Sequence, residues 1–229
     1  MAGGVLADAT APYAAGEAWF FDTVIAPAIG VLRQRMLAAH IAALAPGARV
    51  LEVGSGGGQM ALEVAAARPD LDWTGVDLSP AQVARATRRA ASAVGQGRAP
   101  RFVQGSALDL PFDAGDFDAV VSVGSIKHWP DAARGLAECA RVLRPGGQLF
   151  VVEVDRGCRW ADARAFVADW RMPRPFRPVG LVVFRTWVAG QAIDLDDARA
   201  LLAGAPLCEA HVERLAGSPG LLMRARRAG

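Results

Sequence analysis

The sequence predicts one α/β domain, doubly wound about a mostly parallel sheet. Three observations carry that expectation. Short β-branched runs alternate with alanine-rich helical stretches from residue 49 onward, the runs are almost continuously apolar, and a glycine-rich turn follows the first of them. Strands covered on both faces read as continuous apolar runs. Strand and helix in alternation imply parallel strands joined by right-handed crossovers. A chain of 229 residues suffices for one such domain with a modest insertion.

Taken in order, residues 11–45 contain EAWFFDTVIAPAIGVLRQRMLAAHIAAL, which reads as one or two amphipathic helices preceding the sheet. Strands are expected at RVLEV (49–53), DWTGV (72–76), RFVQG (101–105), FDAVVSV (117–123) and QLFVVEV (148–154). Helices fall between them, over residues 58–68, 79–94 and 131–143. The second opens with Ser79 as N-cap, Pro80 at the first helical position and Gln82 three residues after the cap. The third closes on RPGG, a helix stop and a turn into the next strand. Beyond residue 155 the rhythm breaks. RMPRPFRPVG (171–180) is too proline-rich for regular structure, whereas DLDDARALLAGA (194–205) reads as a helix. CEAHVERLAGSPGLLMRAR reads as two strands about a GSPG turn, an antiparallel hairpin at the sheet edge. The chain therefore divides into an N-terminal helical lid (1–45), a cofactor-binding core (46–155), a substrate-side helical insertion (156–206) and a C-terminal hairpin (207–229).

Composition narrows the function. Hydrophobic residues make up 52% and charged residues 21%, far from the composition of disorder. The net charge of +2 gives no field for a nucleic acid, and no run approaches the length of a membrane span. Cys139, Cys158 and Cys208 lack CxxC spacing, which indicates neither a disulfide framework nor a zinc site. The first residues have no basic signal region, so a cytoplasmic protein is expected, monomeric or homodimeric.

VLEVGSGGGQM sets Gly54, Gly56 and Gly58 directly after the first strand and before a helix. Positions without side chains let the backbone turn tightly and approach a ligand, and the helix start offers N–H groups. A nucleoside-type cofactor suits such a loop. The dinucleotide pattern G-x-G-x-x-G needs glycine at 59, where the chain has Gln59, which weakens an oxidoreductase reading. At the tip of the second strand GVDLSP places Asp77, whose carboxylate can accept both hydroxyls of a ribose.

LEVGSGGG, GVDLSP, GSALDLPF, FDAVVSVGSIKHWPD and RVLRPGGQLFVVE, in this order and spacing, resemble the class I S-adenosylmethionine-dependent methyltransferases. Within these they are similar to the small-molecule branch of ubiquinone and menaquinone biosynthesis. The resemblance covers about residues 45–155. It implies a Rossmann-like, seven-stranded sheet whose terminal hairpin supplies the antiparallel edge. It also implies S-adenosylmethionine as cofactor, S-adenosylhomocysteine as product and a small-molecule acceptor. By position, Glu52 resembles the acid supporting the loop and the cofactor's amino group. Gly54, Ser55, Gly56 and Gly58 resemble the loop under its methionine portion, Asp77 resembles the ribose ligand, and Leu78 would flank the adenine. Where the family has Gly-Asp-Ala, this chain has Gly105-Ser106-Ala107, followed by Leu108, so Ser106 offers the adenine amino group only a neutral acceptor. The Ala107 N–H would still reach the ring, and Ser122 matches a position whose backbone meets the methionine end.

Methyl transfer from a sulfonium needs an aligned, desolvated nucleophile, and positioning contributes about 7–11 kcal/mol to such reactions, more than one general base supplies. The family pattern after the fourth strand often ends in two histidines before Pro-Asp. Here Lys127 and His128 stand there, and Lys127 is the only lysine among 25 basic residues. His128 reads either as a base or orienting group for the acceptor or as a loop-closing ligand at a helix start. Lys127 reads either as a compact cation for an acidic acceptor or as a solvated loop residue. No acidic cluster near the fourth strand supports a metal mechanism.

Tyr13, Trp19, Phe20 and Phe21 suit a lid that excludes water from the sulfonium, and equally a core anchor. Arg171, Arg174 and Arg177, alternating with prolines, suit a carboxylate or phosphate on the acceptor, or solvent. Two functions thus compete: a small-molecule methyltransferase, and a cofactor-holding subunit without turnover.

Overall fold

The computed structural model describes residues 40–93 and 98–229, together with Gly30. Tyr13, Trp19, Phe20, Phe21 and most of the expected N-terminal lid lie outside the described residues.

Seven strands form one sheet: β1 Arg49–Val53, β2 Asp72–Asp77, β3 Arg101–Gln104, β4 Phe117–Val123, β5 Leu143–Val154, β6 Leu207–Arg214 and β7 Gly220–Arg227. Their order across it is β3-β2-β1-β4-β5-β7-β6, parallel as far as β5, with β7 antiparallel between β5 and β6. Among the described residues the α-helices between and after the strands are α1 Gln59–Ala67, α2 Pro80–Ser92, α3 Ala132–Val142, α4 Trp160–Ala168, α5 Arg177–Val183 and α6 Leu195–Ala203. This is the doubly wound sheet with an antiparallel terminal hairpin that the apolar pattern implies.

Local chemistry sets the boundaries. The Ser79 hydroxyl accepts from Gln82 N at 3.4 Å with Pro80 opening α2, and Asp131 caps α3 by accepting from Arg134 N. Asp194 and Asp197 form a reciprocal capping box at α6. Adjacent strand residues point to opposite faces, so β1, β2, β4, β5 and β7 each feed two cores. Val50, Val121 and Val152 pack with Met60 and Val64 of α1 and Phe166 and Val167 of α4. Leu51, Val120 and Val151 pack with Leu136 and Val142 of α3 and Leu202 of α6.

Two expectations are corrected. The RPGG stretch is not a free turn: β5 starts at Leu143, pairs Phe117, and shifts register before Gln148 meets Ala119. Residues 171–173 are irregular as expected, but residues 174–180 are helical. Arg174–Phe176 is a 3-10 turn that runs into α5, and Phe184–Val188 continues it as a π turn. Pro175 and Pro178 each fall in the first turn of their helix, where no intrahelical N–H is needed and the fixed φ suits the geometry.

Candidate cofactor and active site

The C-terminal ends of β1, β2, β3 and β4 meet at one edge, where ligands of doubly wound sheets bind. There Gly54 N and Ser55 N both donate to Val76 O, at 2.9 and 3.0 Å, and fold the loop across the tip of β2. Gly54, Gly56 and Gly58 all have positive φ, 77°, 50° and 75°. They do different work. A Cβ on Gly54 would lie 2.1 Å from Ser125 Oγ, and one on Gly58 2.7 Å from the Phe102 ring, so these two allow close packing. A Cβ on Gly56 would meet nothing within 4 Å, so Gly56 borders open space.

Asp77 is held on both oxygens. Oδ2 accepts from Gly56 N at 2.8 Å and Oδ1 from Ser79 N at 2.9 Å. Each oxygen keeps a further lone pair, which suits a pair of vicinal hydroxyls. Leu78 beside it is 54% exposed, an apolar surface where the adenine is expected. The Ser106 hydroxyl accepts from Leu108 N at 3.1 Å, and its carbonyl accepts from Asp109 N, so this serine closes the turn that holds Ala107 and Leu108. The open space at Gly56, the doubly anchored carboxylate and the exposed leucine fit a nucleoside cofactor.

Other expected residues are built into the walls. Glu52 is buried and accepts from Trp73 Nε1 at 3.1 Å. Ser122 is fully buried and donates to Val53 O at 2.9 Å, which ties β4 to β1.

After β4 the chain turns through Gly124 into a short 3-10 helix, Ile126–His128. His128 N donates to Ser125 O, and Trp129 Nε1 donates to Ser125 Oγ at 3.0 Å. Ser125 therefore touches both the glycine loop and the turn that carries His128. Lys127 points inward: its ammonium lies 3.3 Å from Glu153 Oε1, with one tenth of its side chain exposed. Glu153 also accepts from Val154 N at 2.8 Å and Lys127 N at 3.4 Å. The lysine read as a cation for the acceptor or as a solvated loop residue is instead the counter-ion of a buried carboxylate. His128 is itself exposed, yet partial desolvation against the wall first, and then the Lys127 charge, push its imidazole below its ordinary 6.5, with Glu153 opposing. That direction favours the neutral ring, which can accept a proton.

In the insertion the Arg177 guanidinium donates to Ala168 O at 2.9 Å and closes α4, while Arg174 is exposed. Sequence reasoning missed Ser125 and Glu153. Glu153 had a signal: a lone carboxylate in an apolar strand covered on both faces needs a charged or hydrogen-bonding partner.

Sheet order and crevice define a doubly wound α/β protein that holds a nucleoside cofactor at its strand tips. Residues 51–151 match the methyltransferase domain family. The demethylmenaquinone methyltransferase of Thermus thermophilus is 36% identical over 122 residues, covering 53% of this chain and 54% of that protein. The 27-O-demethylrifamycin SV methyltransferase of Amycolatopsis mediterranei is 40% identical over 106 residues, covering 46% and 38%. These matches span about half or less of the relatives' own length. Among solved structures, a Methanococcus maripaludis protein assigned as an S-adenosyl-L-methionine-dependent methyltransferase superposes with a TM-score of 0.67 at 18% identity, covering 92% of this chain and 90% of that one. Over residues 51–151 the chain is thus similar in sequence to methyltransferase domains, and over most of its length it shares the fold of S-adenosylmethionine-dependent methyltransferases.

Proposed function

We propose that this chain catalyses methyl transfer to a small, quinone-like acceptor. The observation that carries the reading is the Gly56–Asp77 hydrogen bond beside open space, which aims a fixed carboxylate at a ligand above a loop free of side chains. S-adenosylmethionine, when bound, supplies an electrophilic methyl group.

The chain's own residues do the rest. Asp77 would hold the ribose hydroxyls, and Leu78 would cover one face of the adenine. Ser106 would accept from its amino group through the lone pair that Leu108 leaves. Glu52, paired with Trp73, stiffens β1 beneath the loop. A neutral His128 would accept the proton of an acceptor hydroxyl or orient it, and the Lys127–Glu153 pair fixes the turn that carries the ring. The names of two relatives support a small-molecule acceptor, one being a demethylmenaquinone methyltransferase and the other a 27-O-demethylrifamycin SV methyltransferase.

Calorimetry with S-adenosylhomocysteine and NAD, followed by turnover of labelled S-adenosylmethionine with demethylated quinols, tests this. Binding of the homocysteine product together with methylated quinol is expected. Binding without turnover on any acceptor would favour a cofactor-holding subunit, and tighter binding of NAD would overturn the cofactor assignment.

A further inference from the structure

The described surface leaves six large hydrophobic side chains well exposed, and five of them lie in the insertion: Trp160, Phe176, Val179, Val182 and Trp187. Exposed apolar residues scattered singly need no explanation, but a cluster of this kind marks a contact surface. It is a face and not a loose loop. The run from α5 into the π turn buries Gly180 and Phe184 against Val167 and Trp170. Val179 and Val182, one helical turn apart, stay outward, and Trp187 is 70% exposed. The Arg185 guanidinium lies 4.9 Å above the Trp160 ring, which joins the start of α4 to the turn bearing Trp187.

Charge says what such a face fits. Residues 159–187 hold six arginines and two aspartates, a net charge of +4 in a chain whose total is +2, so the remainder carries −2. Tryptophans favour the headgroup level of a bilayer, small apolar side chains reach the acyl boundary, and arginines attract anionic headgroups. A second copy of this chain would bring another +4 against the first. The insertion also leaves β5 at its C-terminal end, the edge that carries the glycine loop, Asp77 and His128.

We propose that this face of the insertion docks on an anionic lipid bilayer. Val179, Val182 and Trp187 enter the interface, and Arg171 and Arg174 lie against the phosphates. The docking goes beyond methyl transfer and is measured without it.

The test is flotation of the full chain with phosphatidylglycerol vesicles and, separately, phosphatidylcholine vesicles. Binding to the first and little to the second is expected. Val182→Asp with Trp187→Asp should weaken binding at least about tenfold, with thermal melting and S-adenosylhomocysteine affinity unchanged. Should that double variant fail to fold, Arg171→Gln carries the test, with a loss of about fivefold at low salt. No binding to phosphatidylglycerol, binding indifferent to lipid charge, or binding unmoved in the variants overturns the proposal. So does a wild-type dimer in sedimentation that the same aspartates dissociate, since a second copy then occupies the face.

Discussion

Lys127 and Glu153 form an ion pair inside the wall of the crevice, 3.3 Å apart, with the carboxylate side chain fully enclosed and the lysine nearly so. The pair joins the turn after β4 to the end of β5, and His128 follows the lysine directly. A compact ammonium fits this enclosure better than a planar guanidinium, which gives a physical reason for a lone lysine in an arginine-rich chain.

Removing one partner strands the other charge. Lys127→Met is expected to lower stability by about 3–5 kcal/mol, the range for a broken buried pair. Lys127→Met with Glu153→Gln should recover most of that, because no uncompensated charge remains. Denaturant unfolding of the two single variants and the double variant checks it, and additive losses would show that the two groups do not interact.

The neutral state of His128 has a pH signature. Its folded pKa is lowered from 6.5, chiefly by partial desolvation and next by Lys127, so the ring stays a base below the pH where free histidine charges. Activity dependent on it falls only once pH drops past that lowered value. The unfolded chain takes up its proton first, so this histidine's contribution to stability is complete above 6.5 and is lost as pH falls toward the folded value. Glu153→Gln removes the opposing charge and should move the acid limb of kcat/KM lower, while Lys127→Met should move it higher. Matching shifts in the His128 ring resonances would tie the limb to this residue. A limb that stays fixed in both variants sets it elsewhere.

Gly54 and Gly56 should fail in different ways. Gly54→Ala drives a methyl group into Ser125 and should destabilise the fold, and Ser125→Gly should restore much of the loss by opening that space. The Cβ of Gly56→Val would meet no atom within 4 Å, so the main stability cost is the positive φ, about 1–3 kcal/mol. Its main effect should be loss of cofactor affinity. Thermal melts and S-adenosylhomocysteine calorimetry separate the two, and undiminished affinity in Gly56→Val would remove the loop from the binding site.

The sheet was legible because burial on both faces writes itself as apolar runs, and β1 and β4 fall where those runs were read. The hairpin about GSPG and the Asp194 cap were legible for equally local reasons. Residues 174–180 were not, since composition counts three prolines without recording that Pro175 and Pro178 stand at helix starts. The Asp77 carboxylate could be placed from its strand tip. The Lys127–Glu153 pair could not, because a contact 26 residues apart in sequence depends on how the turn after β4 folds back over β5.

Ser106 stands where the family carries an aspartate, and its hydroxyl already accepts from Leu108 N. An aspartate can make the same local bond two residues on, so Ser106→Asp should leave the turn intact. Its charge would strengthen the bond accepted from the adenine amino group, since charge-assisted bonds are about twice as strong as neutral ones. A gain of about 1 kcal/mol corresponds to roughly fivefold tighter S-adenosylhomocysteine binding. The gain should be absent for an analogue lacking the amino group, which separates this contact from a general effect of the added charge. Weaker binding of both ligands would mean that position 106 does not face the base, and the adenine would then have to be sought against another stretch of the crevice.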